Sequence, residues 1–214
     1  MPPRLRHAVL RLAAAALVAG ALTVLPPFAP DAAHHAATAQ ARPRPTHRHR
    51  HPHRARVFHL RVVFPVRGAV HYRNDFGACR AGCRRRHLGI DLMGHKMQRL
   101  VAVASGRVTA LKYSRRGNYL SITARGWSFN YLHINNDTPG TDDNHNPRRY
   151  AFARGLHVGS RVRAGQVVAY LGDSGNAERT APHLHFEIRR GKPWSGRAVS
   201  PWWALRHARH PRRH

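Results

Sequence analysis

Residues 100–134 read LVAVASGRVTALKYSRRGNYLSITARGWSFNYLHI, and their rhythm decides the fold. Short apolar runs, Leu100–Val103, Arg107–Tyr113, Tyr119–Thr123 and Phe129–Ile134, are broken by the turn pairs Ser105-Gly106 and Arg125-Gly126. The runs are rich in Val, Ile, Leu and Tyr, residues that suit a pleated, half-buried surface. None sustains a helical apolar period. The same rhythm continues outward. Val57–Val66 precedes the stretch, Arg161–Val162 and Gln166–Leu171 flank Ala164-Gly165, and His183–Arg189 closes the series. Turn residues at intervals of roughly eight to twelve predict an all-β domain over residues 57–205, an antiparallel sandwich or barrel. Asn135–Asn146, NNDTPGTDDNHN, interrupts it as a long polar loop, expected to be a solvated insertion rather than an ordered calcium loop.

The flanks have a different character. Arg4, Arg6 and Arg11 precede the apolar run Leu12–Leu25, which Pro26 and Pro27 end. Ala-x-Ala sites follow at Ala37-Thr38-Ala39 and Ala39-Gln40-Ala41. This layout predicts a signal peptide over 1–41, cleaved near Ala41, against the competing reading of an uncleaved anchor. The mature chain is then expected to be secreted or extracytoplasmic, in periplasm or cell wall, with no transmembrane span. Residues 42–56, RPRPTHRHRHPHRAR, offer almost nothing to bury and are expected to be a disordered linker. Its alternating His47, His49, His51 and His53 could collect a metal ion, but a solvated polycationic arm is the plainer reading. The basic tail 206–214 is expected to fray.

Among 214 residues, Lys and Arg total 37 against 9 Asp and Glu, a formal charge of +28. That excludes an acid-rich solvated chain, and a 42% apolar share excludes disorder throughout. Of the cations, 34 are Arg, whose planar fork grips phosphates and carboxylates. The partner is therefore anionic. Loss of 1–41 removes three Arg and Asp31 and leaves 34 minus 8, or +26. An exported polycation meets wall polymers before a genome, so no specific nucleic-acid partner is expected. Export also exposes Cys79 and Cys83 to oxidant, which allows a short-loop disulfide; a thiolate metal pair is the alternative.

The chemistry lies in two motifs. His87-Leu88-Gly89-Ile90-Asp91 spaces an imidazole and a carboxylate four apart, and His183-Leu184-His185-Phe186-Glu187 spaces two imidazoles two apart. Strand side chains at i, i+2 and i+4 share a face, so each pair can converge while Leu184 and Phe186 turn to the core. Two imidazole nitrogens and one carboxylate oxygen make a zinc set with an open fourth position. In a chain with 19 His, either motif alone is weak; their joint presence among strand-like neighbours carries the weight. Tyr131-Leu132-His133-Ile134 adds a third strand-borne His. No H-E-x-x-H helix occurs, and Glu187 reads as a structural residue or one that orients a ligand His.

Phe64-Pro65-Val66, Asp75-Phe76-Gly77, His87-x-Gly89-x-Asp91, Tyr131-x-His133, Gly159-x-x-Val162-x-x-Gly165-Gln166 and His183-x-His185-Phe186-Glu187 occur in this order. The ordered set, over about residues 62–190, resembles the lysostaphin-type (LytM-type) zinc metallopeptidases of peptidoglycan. The resemblance implies a LytM-type antiparallel β domain, a duplicated hybrid motif, with a groove over Zn2+. It implies His87, Asp91 and His185 as zinc ligands, His183 as the catalytic residue beside the metal water, and His133 as its catalytic partner. It further implies an endopeptidase acting on peptidoglycan peptide, expected as a monomer; the charge of the basic arm could hold it on anionic cell-wall polymers by salt-sensitive attraction, the alternative being a plain tether between signal and domain. The competing readings are a catalytically inactive LytM-type activator or scaffold of other wall hydrolases, and a non-catalytic secreted polycation. Both a Gly-Gly bridge and a D-Ala to diaminopimelate bond remain open as the bond cut.

Overall fold

A computed structural model describes residues 60–211 of the chain. The signal peptide expected at 1–41 and the linker expected at 42–56 lie outside the described residues. The strands are β1 (Cys79–Arg80), β2 (Arg85–Arg86), β3 (Ile90–Met93), β4 (Arg99–Val101), β5 (Gly106–Lys112), β6 (Asn118–Ala124) and β7 (Trp127–Ile134). After the one-turn helix α1 (Arg148–Ala151) come β8 (Arg161–Val162), β9 (Val167–Tyr170), β10 (His183–Arg190), β11 (Arg197–Val199) and the short helix α2 (Trp202–Arg206). The all-β expectation holds, and every strand pair is antiparallel.

The main sheet runs β11-β10-β7-β6-β5-β8. β7 pairs with one edge of β10, while β3 and then β11 share the other. β10 is therefore flanked on both sides, and all but its two end residues are buried. Its alternation sorts two layers. Leu184, Phe186 and Ile188 enter the apolar core with Ile90, Leu92, Leu120, Ile122 and Phe129. Tyr131 meets Phe186 edge to face at 5.4 Å. Its hydroxyl donates to the Val101 carbonyl and accepts from the Val103 N–H, both at 2.9 Å. That ties the main sheet to β4, which pairs with β9 in a second, two-stranded sheet contributing Leu100, Val168 and Ala169 to the same core. Burying a side chain of Phe or Leu size contributes about 1.5–3 kcal/mol, so this core is the main source of stability.

The other face of β10 carries His183, His185, Glu187 and Arg189. Glu187 and Arg189 are buried with Asn130 and Ser121 of the neighbouring strands. Buried polar groups need partners, and here they form one chain. Ser121 donates to the Asn130 side chain at 2.8 Å, the Asn130 amide donates to Glu187 at 3.0 Å, and Arg189 donates to Glu187 at 2.7 Å. Arg189 also donates to the carbonyls of Trp194 and Gly196, which closes the 191–196 loop over this layer.

Three expectations are corrected. Residues 60–66 form no regular strand: Pro65 has no N–H to give a ladder, and the segment holds by isolated bridges, Val63 with Arg209 and Val66 with Leu100. Residues 206–211 of the tail do not fray. Arg209 exchanges backbone hydrogen bonds with Val62 and Phe64, and the His210 ring stacks on Phe64 at 4.8 Å. The 135–146 loop is not a free solvated insertion, because its ends are buried at Asn135, Asn136, Asp137 and Asn146. Asn118 donates to the Asn135 carbonyl and to Asn146, and Lys96 donates to Asp137 at 2.7 Å and Asp142 at 2.8 Å. Asp173 is a third carboxylate on the same ammonium, at 3.0 Å. The Lys96 ammonium thus holds three carboxylates together at the base of this loop.

Candidate metal centre

His185 and Asp91 are direct cross-strand partners in the β10–β3 register, so their side chains leave the sheet together. His87 precedes β3 rather than lying in it. The turn at Leu88-Gly89 brings its ring back, and Gly89 is needed there: a Cβ would lie 2.4 Å from the Phe186 carbonyl and 2.8 Å from the His185 ring. His87 Nε2, Asp91 Oδ1 and His185 Nδ1 then lie 2.9–3.0 Å from one another.

The outward-facing nitrogens determine what these three atoms can do. His87 Nδ1 faces the Asp75 carbonyl at 3.0 Å and the Asp75 carboxylate at 3.2 Å. His185 Nε2 faces Glu187 Oε1 at 3.1 Å. Each acceptor draws the ring proton to its side, so in the neutral rings His87 Nε2 and His185 Nδ1 carry lone pairs. Two lone pairs and a carboxylate oxygen at this spacing repel one another unless a cation sits among them. The donor set, two imidazoles and one carboxylate, suits zinc and leaves further positions open. The residues present therefore fit the group that the sequence motifs imply.

The electrostatics agree. Burial would raise the Asp91 pKa, but hydrogen bonds from His185 and His87 outweigh it and hold the carboxyl far below the usual range. Burial would lower the His185 pKa, yet Asp91 and Glu187 outweigh it and raise it. Glu187 is driven down to about 2 despite burial, by His185, Arg189 and Asn130. The Arg80 guanidinium donates to Asp91 Oδ2 at 3.0 Å and Asp75 Oδ2 at 2.9 Å, which leaves Asp91 only Oδ1 to offer inward. It also touches His87 Nδ1 at 3.1 Å.

The two remaining histidines stand beside this centre. β6 and β7 slip register between Asn118 and Tyr119, which leaves His133 opposite no residue. This is a β-bulge, and His133 takes the left-handed conformation at φ 60°. Such a non-glycine position costs of order 1–3 kcal/mol and occurs where a side chain must be re-aimed. The ring lies 4.8 Å from that of His183 and 6.0 Å from that of His185. His133 Nδ1 faces the Ser174 carbonyl at 2.9 Å, and His183 Nδ1 faces the Ala181 carbonyl at 2.8 Å. Both rings thus keep Nδ1–H and leave Nε2 as a base. Burial, with smaller contributions from His183 and His185, lowers the His133 pKa to about 4. The five expected side chains line one cleft of about 750 Å³ with Arg80, Arg85, Arg86, Met93 and Thr180.

Sequence reading named His87, Asp91, His133, His183 and His185, and the fold gathers all five. It quoted Asp75 without a role and missed Arg80, whose only signal was its place beside Cys79. That hairpin is closed by a Cys79–Cys83 disulfide with a Cα separation of 4.5 Å.

Comparison with known proteins adds a family and a fold. Residues 85–201, more than half of the chain, match Peptidase family M23. An L-Ala--D-Glu endopeptidase of Bacillus subtilis strain 168 is 28% identical over 66% of this chain and 41% of its own length. The murein hydrolase activator NlpD of Salmonella dublin is 31% identical over 59% of this chain and 27% of its own length. The chain thus spans well under half of the curated relatives it matches. A Ruminococcus gnavus crystal structure assigned as a glycyl-glycine endopeptidase, LytM, shares the fold with a TM-score of 0.53 and 24% identity, covering 69% of this chain and 62% of that one.

Proposed function

The chain belongs to peptidase family M23, and on that premise we propose that it is a secreted zinc endopeptidase cutting peptide cross-links of bacterial peptidoglycan. One observation carries the reading: three cation-seeking donor atoms converge beside two imidazoles whose Nε2 atoms are free to take protons. His87, Asp91 and His185 would hold Zn2+. When bound, the ion supplies a Lewis acid for the peptide carbonyl and lowers the pKa of a coordinated water towards 7.

The chain's own groups do the rest. Asp75 and Glu187 fix the tautomers of His87 and His185, and Arg80 restricts Asp91 to one inward oxygen. His183 Nε2, at 3.9 Å from Asp91 Oδ1, is placed to take a proton from the attacking water and return it to the leaving amine. His133 enters neutral at neutral pH, and its Nε2 accepts a hydrogen bond from the attacking water, holding it in line. The Ser174 and Ala181 carbonyls keep both rings in the tautomer this exchange needs.

The NlpD likeness favours a second reading, an inactive activator of other wall hydrolases. One experiment separates the two. The full chain is incubated with insoluble peptidoglycan, with and without a zinc chelator, and released fragments are identified by mass spectrometry. Chelator-sensitive release of peptide-cleaved fragments supports the endopeptidase. No release from a zinc-loaded chain overturns it in favour of the activator.

A further inference from the structure

The β1–β2 hairpin stands at the mouth of the cleft. Arg80 and Arg85 are direct cross-strand partners, so both side chains leave the ribbon on one face, and both line the cleft with the proposed metal ligands. Arg86, one position along and paired with Cys79, also borders the cleft, but its guanidinium donates to the Gly77 carbonyl and the Cys79 sulfur, both at 3.4 Å. Like charges directly opposite in a ribbon destabilise it. Arg80 is neutralised by Asp75 and Asp91. Arg85 and Arg86 form no ion pair among the described residues, and Arg85 is exposed to the cleft mouth.

Little else in the chain could neutralise them. All eight acids beyond residue 41 are engaged: Asp75, Asp91 and Glu187 at the centre, Asp137, Asp142 and Asp173 on Lys96, Asp143 within its own loop, and Glu178 on Asn136. The hairpin is held by a disulfide across only four residues, so these guanidinium groups sit on a stiff mount rather than a floppy loop. A planar fork on a fixed mount is suited to a carboxylate, gripped through two parallel hydrogen bonds.

We propose that Arg85 binds a free carboxylate on the substrate peptide beside the bond that is cut. The substrate class is then an acidic peptide, such as one bearing a free diaminopimelate or D-Glu carboxylate, rather than a neutral glycine bridge. This rests on the peptidase reading and adds specificity to it.

The test uses the zinc-loaded full chain and two soluble cross-linked peptides that differ only in a free carboxylate or a carboxamide next to the scissile bond. Hydrolysis is read as the ratio of kcat/KM values, and binding as the ratio of Kd values by calorimetry at physiological salt. The expected wild-type preference for the carboxylate is about tenfold in both ratios, the size of one charge-assisted pair at a partly exposed site. Arg85→Gln should bring both ratios to about one, and Arg85→Lys should leave an intermediate value because it keeps charge but loses the fork. A wild-type chain with no preference in either ratio overturns the proposal, as does a preference that Arg85→Gln leaves intact. If neither peptide is cut, the peptidase reading fails, and the Kd ratios still decide the carboxylate site. Because Arg85 is exposed, the glutamine variant removes no core contact, and its circular dichroism should match the wild type.

Discussion

At the scale of single residues, the centre works through which nitrogen carries a proton. Glu187 holds His185 with Nδ1 inward, so Glu187→Gln should weaken zinc affinity about 10- to 100-fold by competition titration, with the chain still folded. His185→Ala should remove both metal and activity, and retention of full lytic activity would show the ligand assignment to be wrong. His183→Ala should keep most of the metal and lose roughly 10²- to 10⁴-fold in turnover, the usual contribution of a positioned acid–base group. Equal metal loss in both variants would refute this division of roles. The raised pKa of metal-free His185 means that protons compete with zinc up to a higher pH than for a free imidazole, so affinity should climb with pH until that raised pKa is passed and then level off. The proposed ligand residues were legible as motifs, but the strand spacing behind that reading holds only for His183 and His185: Asp91 meets His185 through strand register, and His87 lies outside β3 and is turned back at Gly89. Arg80, the Ser174 carbonyl and the Asn130–Glu187 bond were not legible. Each acts across a fold contact that no spacing rule encodes.

At the scale of elements, β10 is the spine of the site, since its odd-numbered residues from His183 to Arg189 build the centre and its even-numbered ones build the core. Phe186→Ala should cost about 3–5 kcal/mol in urea unfolding, from lost burial and the cavity left behind. Gly89→Ala drives a methyl into the Phe186 backbone and the His185 ring. It should lower metal affinity more than it lowers stability, and the reverse order would mean that the turn is only a connector. The runs of 100–134 announced β5, β6 and β7 because alternation and turn glycines are short-range signals. The β1–β2 ribbon was invisible to the same reading, since Cys and Arg give no apolar alternation. The bulge at His133 was also hidden, because it arises from a register slip between two strands.

At the scale of the molecule, acid should unfold the chain by a definite route. Glu187 titrates near 2 when folded against about 4.5 unfolded, so its stabilisation is complete above about 4.5 and lost as pH falls through 2. His133 titrates near 4 against about 6.5, so the folded chain binds fewer protons in that window and stability again falls with pH. His185 works the other way in the metal-free chain, because its raised pKa adds stability at low pH that is lost above its folded value. Between pH 7 and pH 4, the metal-loaded chain should therefore lose more of its urea midpoint than the metal-free chain does. The docking of Arg209 and His210 against Val62–Phe64 could not be read from the tail itself, since its partner lies about 145 residues earlier in the chain. A last consequence follows from where the acids sit. Only Asp142 and Asp143, both in the 135–146 loop, are exposed among the eight beyond residue 41. The outer charge of residues 60–211 is thus nearly all guanidinium, which keeps its proton to pH 12 and beyond. Such a coat has no isoelectric point within reach of biology. Changes of acidity cannot peel it from a polyanion, whereas a rise in ionic strength displaces it by crowding its counterions.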